Sequence, residues 1–160
     1  MVAPKDPFRP TDETARAEAR ALIDTARFAA LAVRDPDTGD PVVTRIAVVP
    51  GPDGVPLTLI SDLSTHTAAL MAHPRCSLLL GEPGDKGDPL THPRLTLIAD
   101  AEQADKIGLK SHYLGAYPKA KLYYDFTDFR LIRMAPVSAL LNGGFGKAYK
   151  LTAQDLAPPA

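Results

Sequence analysis

The sequence has no tryptophan, one cysteine and no long apolar run. A lone Cys76 excludes an internal disulfide and points to a reducing compartment, so the cytoplasm is the expected location. No stretch reaches the roughly 18 apolar residues of a membrane-spanning helix. The opening "MVAPKDPFRPTDET" lacks the apolar segment of a signal peptide, so no membrane partner is expected. Surplus charge is also missing: 18 Lys and Arg against 19 Asp and Glu leave a net charge of −1. A chain with no basic excess is not expected to bind nucleic acid. Any anionic ligand must be met by a few placed groups.

What is present suits one globular domain: 160 residues, 45% hydrophobic and 23% charged. The 16 prolines fall at apparent element boundaries. Residues 1–10 read as a loose arm, 11–156 as the domain and 157–160 as a tail. Ala15, Ala19, Leu22 and Ala26 recur on one helical face, which predicts a helix over 11–25 capped by Thr11 or Asp12. Strands are predicted at 28–33, 42–49, 57–61, 76–81, 94–104, 128–134 and 137–142. A helix is predicted at 65–73, halted by Pro74, and another over 105–117 with a short helix after Pro118. Short connections between strands require antiparallel pairing. The predicted class is α+β, a small barrel or bent sheet with flanking helices.

The stretch "TLISDLSTHTAAL" (58–70) places Ser61, Ser64, Thr65 and Thr67 around His66 at a strand-to-helix turn. A helix N-terminus offers unpaired amides and partial positive charge, so such a turn can cradle an anion. Plain capping by a hydroxyl is the alternative. Arg45 shares a strand face with Val43, Ala47 and Val49, and both faces of 42–49 are mostly apolar. A covered guanidinium needs a partner. A phosphate would serve, as would Asp62 at a sheet edge.

"NGGFGKA" (142–148) fails both nucleotide-loop patterns. A phosphate-binding loop needs glycine at Leu141 and Ser or Thr at Ala148, and the dinucleotide pattern needs glycine at Tyr149. Phe145 between glycines can lie against a flat ring or plug a core. His66 and His73 stand two helical turns apart, too far for one zinc, so no metal site is expected. Cys76 reads as a core residue. No catalytic triad or paired carboxylates can be assigned.

In order and spacing, "PVVTRIAVV", "LTLISDLSTHTAALMAHPRCSLLL", "YPKAKLYYDFTDFRLIRM" and "GGFGKA" resemble the pyridoxamine 5′-phosphate oxidase-like flavoproteins, the FMN-binding split-barrel family. The resemblance spans about residues 12–156 and is closest to the branch related to haem-utilisation proteins. It implies a six-stranded antiparallel split β-barrel that forms a homodimer, with FMN and a small-molecule substrate at the interface. It further implies an FMN-dependent oxidoreductase of unknown substrate, or alternatively a haem- or flavin-binding module without turnover. In the oxidases, a strand Arg and a Ser-Arg-Lys run hold the phosphate. Arg45 and the run Ser64, Thr65, His66 take those places here, with Ser61 at the strand end and Thr67 one step on. Lys121, Phe145 and Lys147 are expected to approach the flavin from the second chain. A strand cation of the oxidases is replaced by Val48 and Val49, so weaker FMN binding is expected, weakening further as His66 loses its proton near neutral pH. The resemblance implies that some members of the haem branch bind haem through a C-terminal extension. The sequence ends at Ala160, which lowers the haem expectation.

Overall fold

A computed structural model describes residues 1–160. Helix α1 (Glu13–Asp24) opens the domain, capped by Asp12, whose carboxylate accepts from the Ala15 amide at 2.8 Å. Thr11 instead donates its hydroxyl to the Lys150 carbonyl. Ala15, Ala19 and Ile23 are the buried positions of α1, and Leu22 only flanks them. The predicted arm is anchored at its end. Phe8–Arg9 (β1) pairs in parallel with the last strand, Ala148–Thr152 (β9).

The strands β2 (Phe28–Arg34), β3 (Pro41–Ala47), β4 (Val49–Pro50), β5 (Pro56–Ser61), β6 (Arg75–Leu80), β7 (Arg94–Gln103) and β8 (Phe129–Asn142) complete the set. They form one sheet of nine strands in the order β1-β9-β8-β7-β6-β2-β3, with β4 on β5 and β5 on β8. All pairings but β1–β9 are antiparallel. The expected six strands become nine because two-residue strands, β1 and β4, and the closing β9 join the sheet.

The two strands predicted at 128–134 and 137–142 are one continuous β8 of 14 residues. Ile98 of β7 pairs Ser138 and Ala99 pairs Pro136, which leaves Val137 as an extra, bulged residue. A bulge is where a strand tolerates a proline, which has no N–H to give to the ladder. Along one edge, β8 pairs first with β5 and then with β9.

Helix α2 (Thr65–Ala72) follows β5 as predicted. Helix α3 (Lys110–Ala116) starts later than the periodicity implies. Asp105 takes the Gly108 amide on its side chain and the Leu109 amide on its carbonyl, so residues 105–109 close as a turn. A 3-10 helix spans Pro118–Leu122.

The main core lies between the inner sheet face and α1, and includes Leu31, Ile46, Leu78, Leu97 and Leu141. A smaller cluster under α3 joins Leu57, Leu59 and Leu131 to Tyr113 and Tyr124. Strand β5 therefore buries both faces. Leu97 is fully buried on a strand flanked on both sides. Leu97→Ala should lower unfolding free energy by about 2–5 kcal/mol, read as a shift in the chemical-denaturation midpoint.

Candidate functional site

A cleft of about 310 Å³ opens between the ends of β3 and β5, the start of α2, and the aromatic segment after α3. Arg45, Ile46 and Ala47 line one wall; Leu59, Ile60, Ser61, Ser64 and His66 line the floor; Tyr117, Tyr123 and Phe129 form the opposite wall. A larger cleft, about 480 Å³, runs between α1 and residues 154–159. Its cations are already paired, Arg16 with Glu13 and Asp155, and Arg20 with Asp24. It therefore offers no free charge to a ligand.

Ser64 is the N-cap residue of α2, yet its side chain makes no capping bond. The Thr67 amide donates to the Ser64 carbonyl, which leaves the Ser64 hydroxyl and the Thr65 and His66 amides for another acceptor. The hydroxyl of Thr67 donates to the Ser61 carbonyl at 2.6 Å, which fastens α2 to the end of β5. Thr67 is buried at 2% exposure, so it is a structural stitch and not part of the expected anion grip. The hydroxyl of Ser61 donates to the Asp128 carboxylate at 2.8 Å and accepts from the Leu63 amide. Its polar capacity is largely used. Thr65 is exposed and lies outside the cleft lining.

His66 is buried, with Nδ1 at 2.9 Å from the Thr44 hydroxyl. Burial pushes its pKa below the ordinary 6.5. The sequence reading places loss of the ring's proton near neutral pH, and burial shifts it downward. Its proton leaves at lower pH.

Arg45 stands differently from the sequence reading. The β2–β3 register sets Ala30 against Arg45 and Ala32 against Val43, so these share the outer sheet face. That face carries no covering layer in the chain, and Val43 is 66% exposed. Arg45 is exposed, with its guanidinium 5.6 Å over the Phe28 ring. Asp62 does not pair with it, because Asp62 bonds Arg130. The guanidinium is left free at the cleft, without a carboxylate to neutralise it.

Lys121 is exposed on the 3-10 helix and is not part of the lining. Phe145, 97% exposed, and Lys147 sit in the turn between β8 and β9, where Gly144 and Gly146 take positive φ. Phe129 at one end of β8 lines the cleft, and this turn follows the other end, roughly 40 Å of strand away. Within one chain, the turn and the cleft are not brought together.

Sequence reasoning missed Tyr117, Tyr123 and Phe129. The aromatic density of "YPKAKLYYDFTDF" marks the segment, but no period reveals which rings face a cleft. The rings brace one another: Tyr123 to Phe129 at 4.9 Å, and Tyr117 edge-on to buried Tyr113 at 6.3 Å.

A family model described as Pyridoxamine 5'-phosphate oxidase matches residues 15–142. The chain is 37% identical over 101 residues to the non-canonical heme oxygenase HOZ, chloroplastic, of Arabidopsis thaliana, covering 61% of this chain and 30% of that protein. A heme binding protein from Mycobacterium smegmatis is 28% identical with a TM-score of 0.80, over 93% of this chain and 61% of that one. The protein Atu2129 of Agrobacterium tumefaciens, of unknown function, is 34% identical with a TM-score of 0.81, over 99% and 66%. The chain thus spans under a third of the plant protein and about three fifths of the mycobacterial one.

Because the folded state resists protonating His66, the unfolded chain binds the proton more readily. This stabilisation is full above about 6.5 and is lost as pH falls through the lower folded value. Denaturation midpoints should drop below pH 6.5, and His66→Gln should flatten that decline.

Proposed function

Since the chain belongs to the pyridoxamine 5′-phosphate oxidase family, we propose that its cleft binds FMN and that the protein is an FMN-dependent oxidoreductase acting on a small molecule. The observation that carries this reading is the unpaired Arg45 guanidinium facing the same cleft as the uncapped start of α2. A guanidinium beside open amides and a free hydroxyl suits a phosphate. The flavin would supply the redox chemistry when bound. The chain's part is to hold the phosphate with Arg45, Ser64 and the first-turn amides, and to shelter the ring among Ile46, Leu59 and Phe129.

The outer sheet face supports a homodimer as part of this reading. Phe28, Val43, Leu79 and Leu140 are exposed there, beside half-buried Ala30 and Ala32. A second copy on this face would remove them from water. It would also let Phe145, Lys147 and Lys121 of one copy reach the cleft of the other.

No helix of the chain is long and apolar enough to cross a membrane. Cys76 is buried and unpaired, and burial pushes its thiol up to about 11, so it is inert.

A second reading places haem in the same cleft, for utilisation, storage or sensing. It is favoured by the names of the plant and mycobacterial relatives.

Purified protein titrated with FMN should quench flavin fluorescence, and Arg45→Ala should weaken that binding by roughly 1–3 kcal/mol. Unchanged affinity would make Arg45 an ordinary surface residue. A Soret band on adding haemin, with no FMN uptake, would favour the haem reading. Oxidation of a reduced nicotinamide by the FMN-loaded protein separates an enzyme from a carrier. Val43→Asp should convert the dimer to monomer in sedimentation and weaken FMN binding with it.

A further inference from the structure

Arg45 is the only permanently charged side chain lining the cleft. Burial disfavours the charged form of His66. Asp128 accepts from the Ser61 hydroxyl at the cleft and has no ion-pair partner, so it adds negative charge there. A phosphate carrying nearly two negative charges therefore meets one guanidinium, and needs further donors that bring no charge.

The aromatic wall holds such donors. Phe129 pairs directly with Ser61 across β5 and β8, so its ring sits at the Ser61 end of the cleft. Tyr123 packs on that ring at 4.9 Å, which brings its phenol to the same end. The neighbouring Tyr124 faces away, buried, with its hydroxyl donating to the Lys106 carbonyl. Tyr123 is thus the one of the pair left for the cleft. Tyr117 is fixed at the joint between α3 and the 3-10 helix, its amide bonded to the Tyr113 carbonyl and its chain turned by Pro118. The Tyr123 phenol titrates above its ordinary range, through burial first and the Tyr117 phenol second. The hydrogen bond to Tyr117 acts to hold the proton on Tyr123, so Tyr123 donates to Tyr117 and the Tyr117 O–H remains for a ligand.

We infer that the Tyr123–Tyr117 pair, with Tyr117 as the outer phenol, is a neutral hydrogen-bond donor to the ligand's anionic headgroup, taking the part of a second cation. This rests on the reading that the cleft binds a flavin phosphate. The phenol adds a directed bond without adding charge, so its contribution is insensitive to salt, whereas that of Arg45 is screened.

The test compares FMN with riboflavin, the same ring without phosphate, on the full chain. Wild-type protein should prefer FMN. Tyr123→Phe should weaken FMN roughly two- to tenfold, leave riboflavin binding unchanged, and keep the salt dependence of FMN affinity. Arg45→Ala should flatten that salt dependence. Equal loss of FMN and riboflavin in Tyr123→Phe would make the ring a stacking contact only and overturn the inference. Full retention of the FMN preference would overturn it as well, while the phosphate cradle stands. If wild-type protein shows no preference for FMN over riboflavin, the cradle itself fails and the inference with it. Should Tyr123→Phe lose its native circular dichroism, Tyr117→Phe gives the same comparison, with a selective loss of FMN at least as large expected and an unchanged preference overturning the inference.

Discussion

Strand β8 constrains the whole molecule, because both of its edges carry partners and half of its 14 residues are paired on both. One edge runs along β7 from Ile132 to Asn142. The other is shared between β5, at Phe129–Arg133, and β9, at Ser138–Asn142. A strand held this way cannot slip by one residue without moving its apolar set to the wrong face. The Val137 bulge absorbs the proline and bends the strand where its partner changes. One end of β8 then contributes Phe129 to the cleft, while the other sends the glycine turn far from it.

The cleft inherits its geometry from that frame. β5 buries both faces and ends at Ser61, and the Thr67 hydroxyl on the Ser61 carbonyl fixes the start of α2 beside it. The stitch uses a hydroxyl that would otherwise look like a ligand contact. It leaves Ser64 and the Thr65 and His66 amides as the open donors. Hydroxyls that seem equivalent in a run of sequence therefore divide by orientation: Thr67 inward, Thr65 outward, Ser64 toward the cleft.

Electrostatics divide in the same way. Asp62 and Arg130 neutralise each other, and Asp53 and Glu102 share Arg133. Such exposed pairs add little stability. They matter here because they remove competitors: the guanidinium of Arg45, stacked on Phe28, keeps its charge for something outside the chain.

The hydrophobic spacing, turn residues and hydroxyl run of the sequence determined the class, most of the strands, α2 and the position of the strand-to-helix turn. Those signals are local, repeating every two or every 3.6 residues, and neighbours in sequence suffice to read them. The start of α3 was misread because Asp105 diverts the backbone into a turn that periodicity does not register. The two final strands merged because a bulge admits Pro136. Only the tertiary structure decided that Arg45 faces outward on an uncovered sheet, that His66 is buried, and that Tyr117, Tyr123 and Phe129 wall the cleft. Exposure, charge state and ligand-facing direction depend on which elements pack together, and long-range strand register sets that.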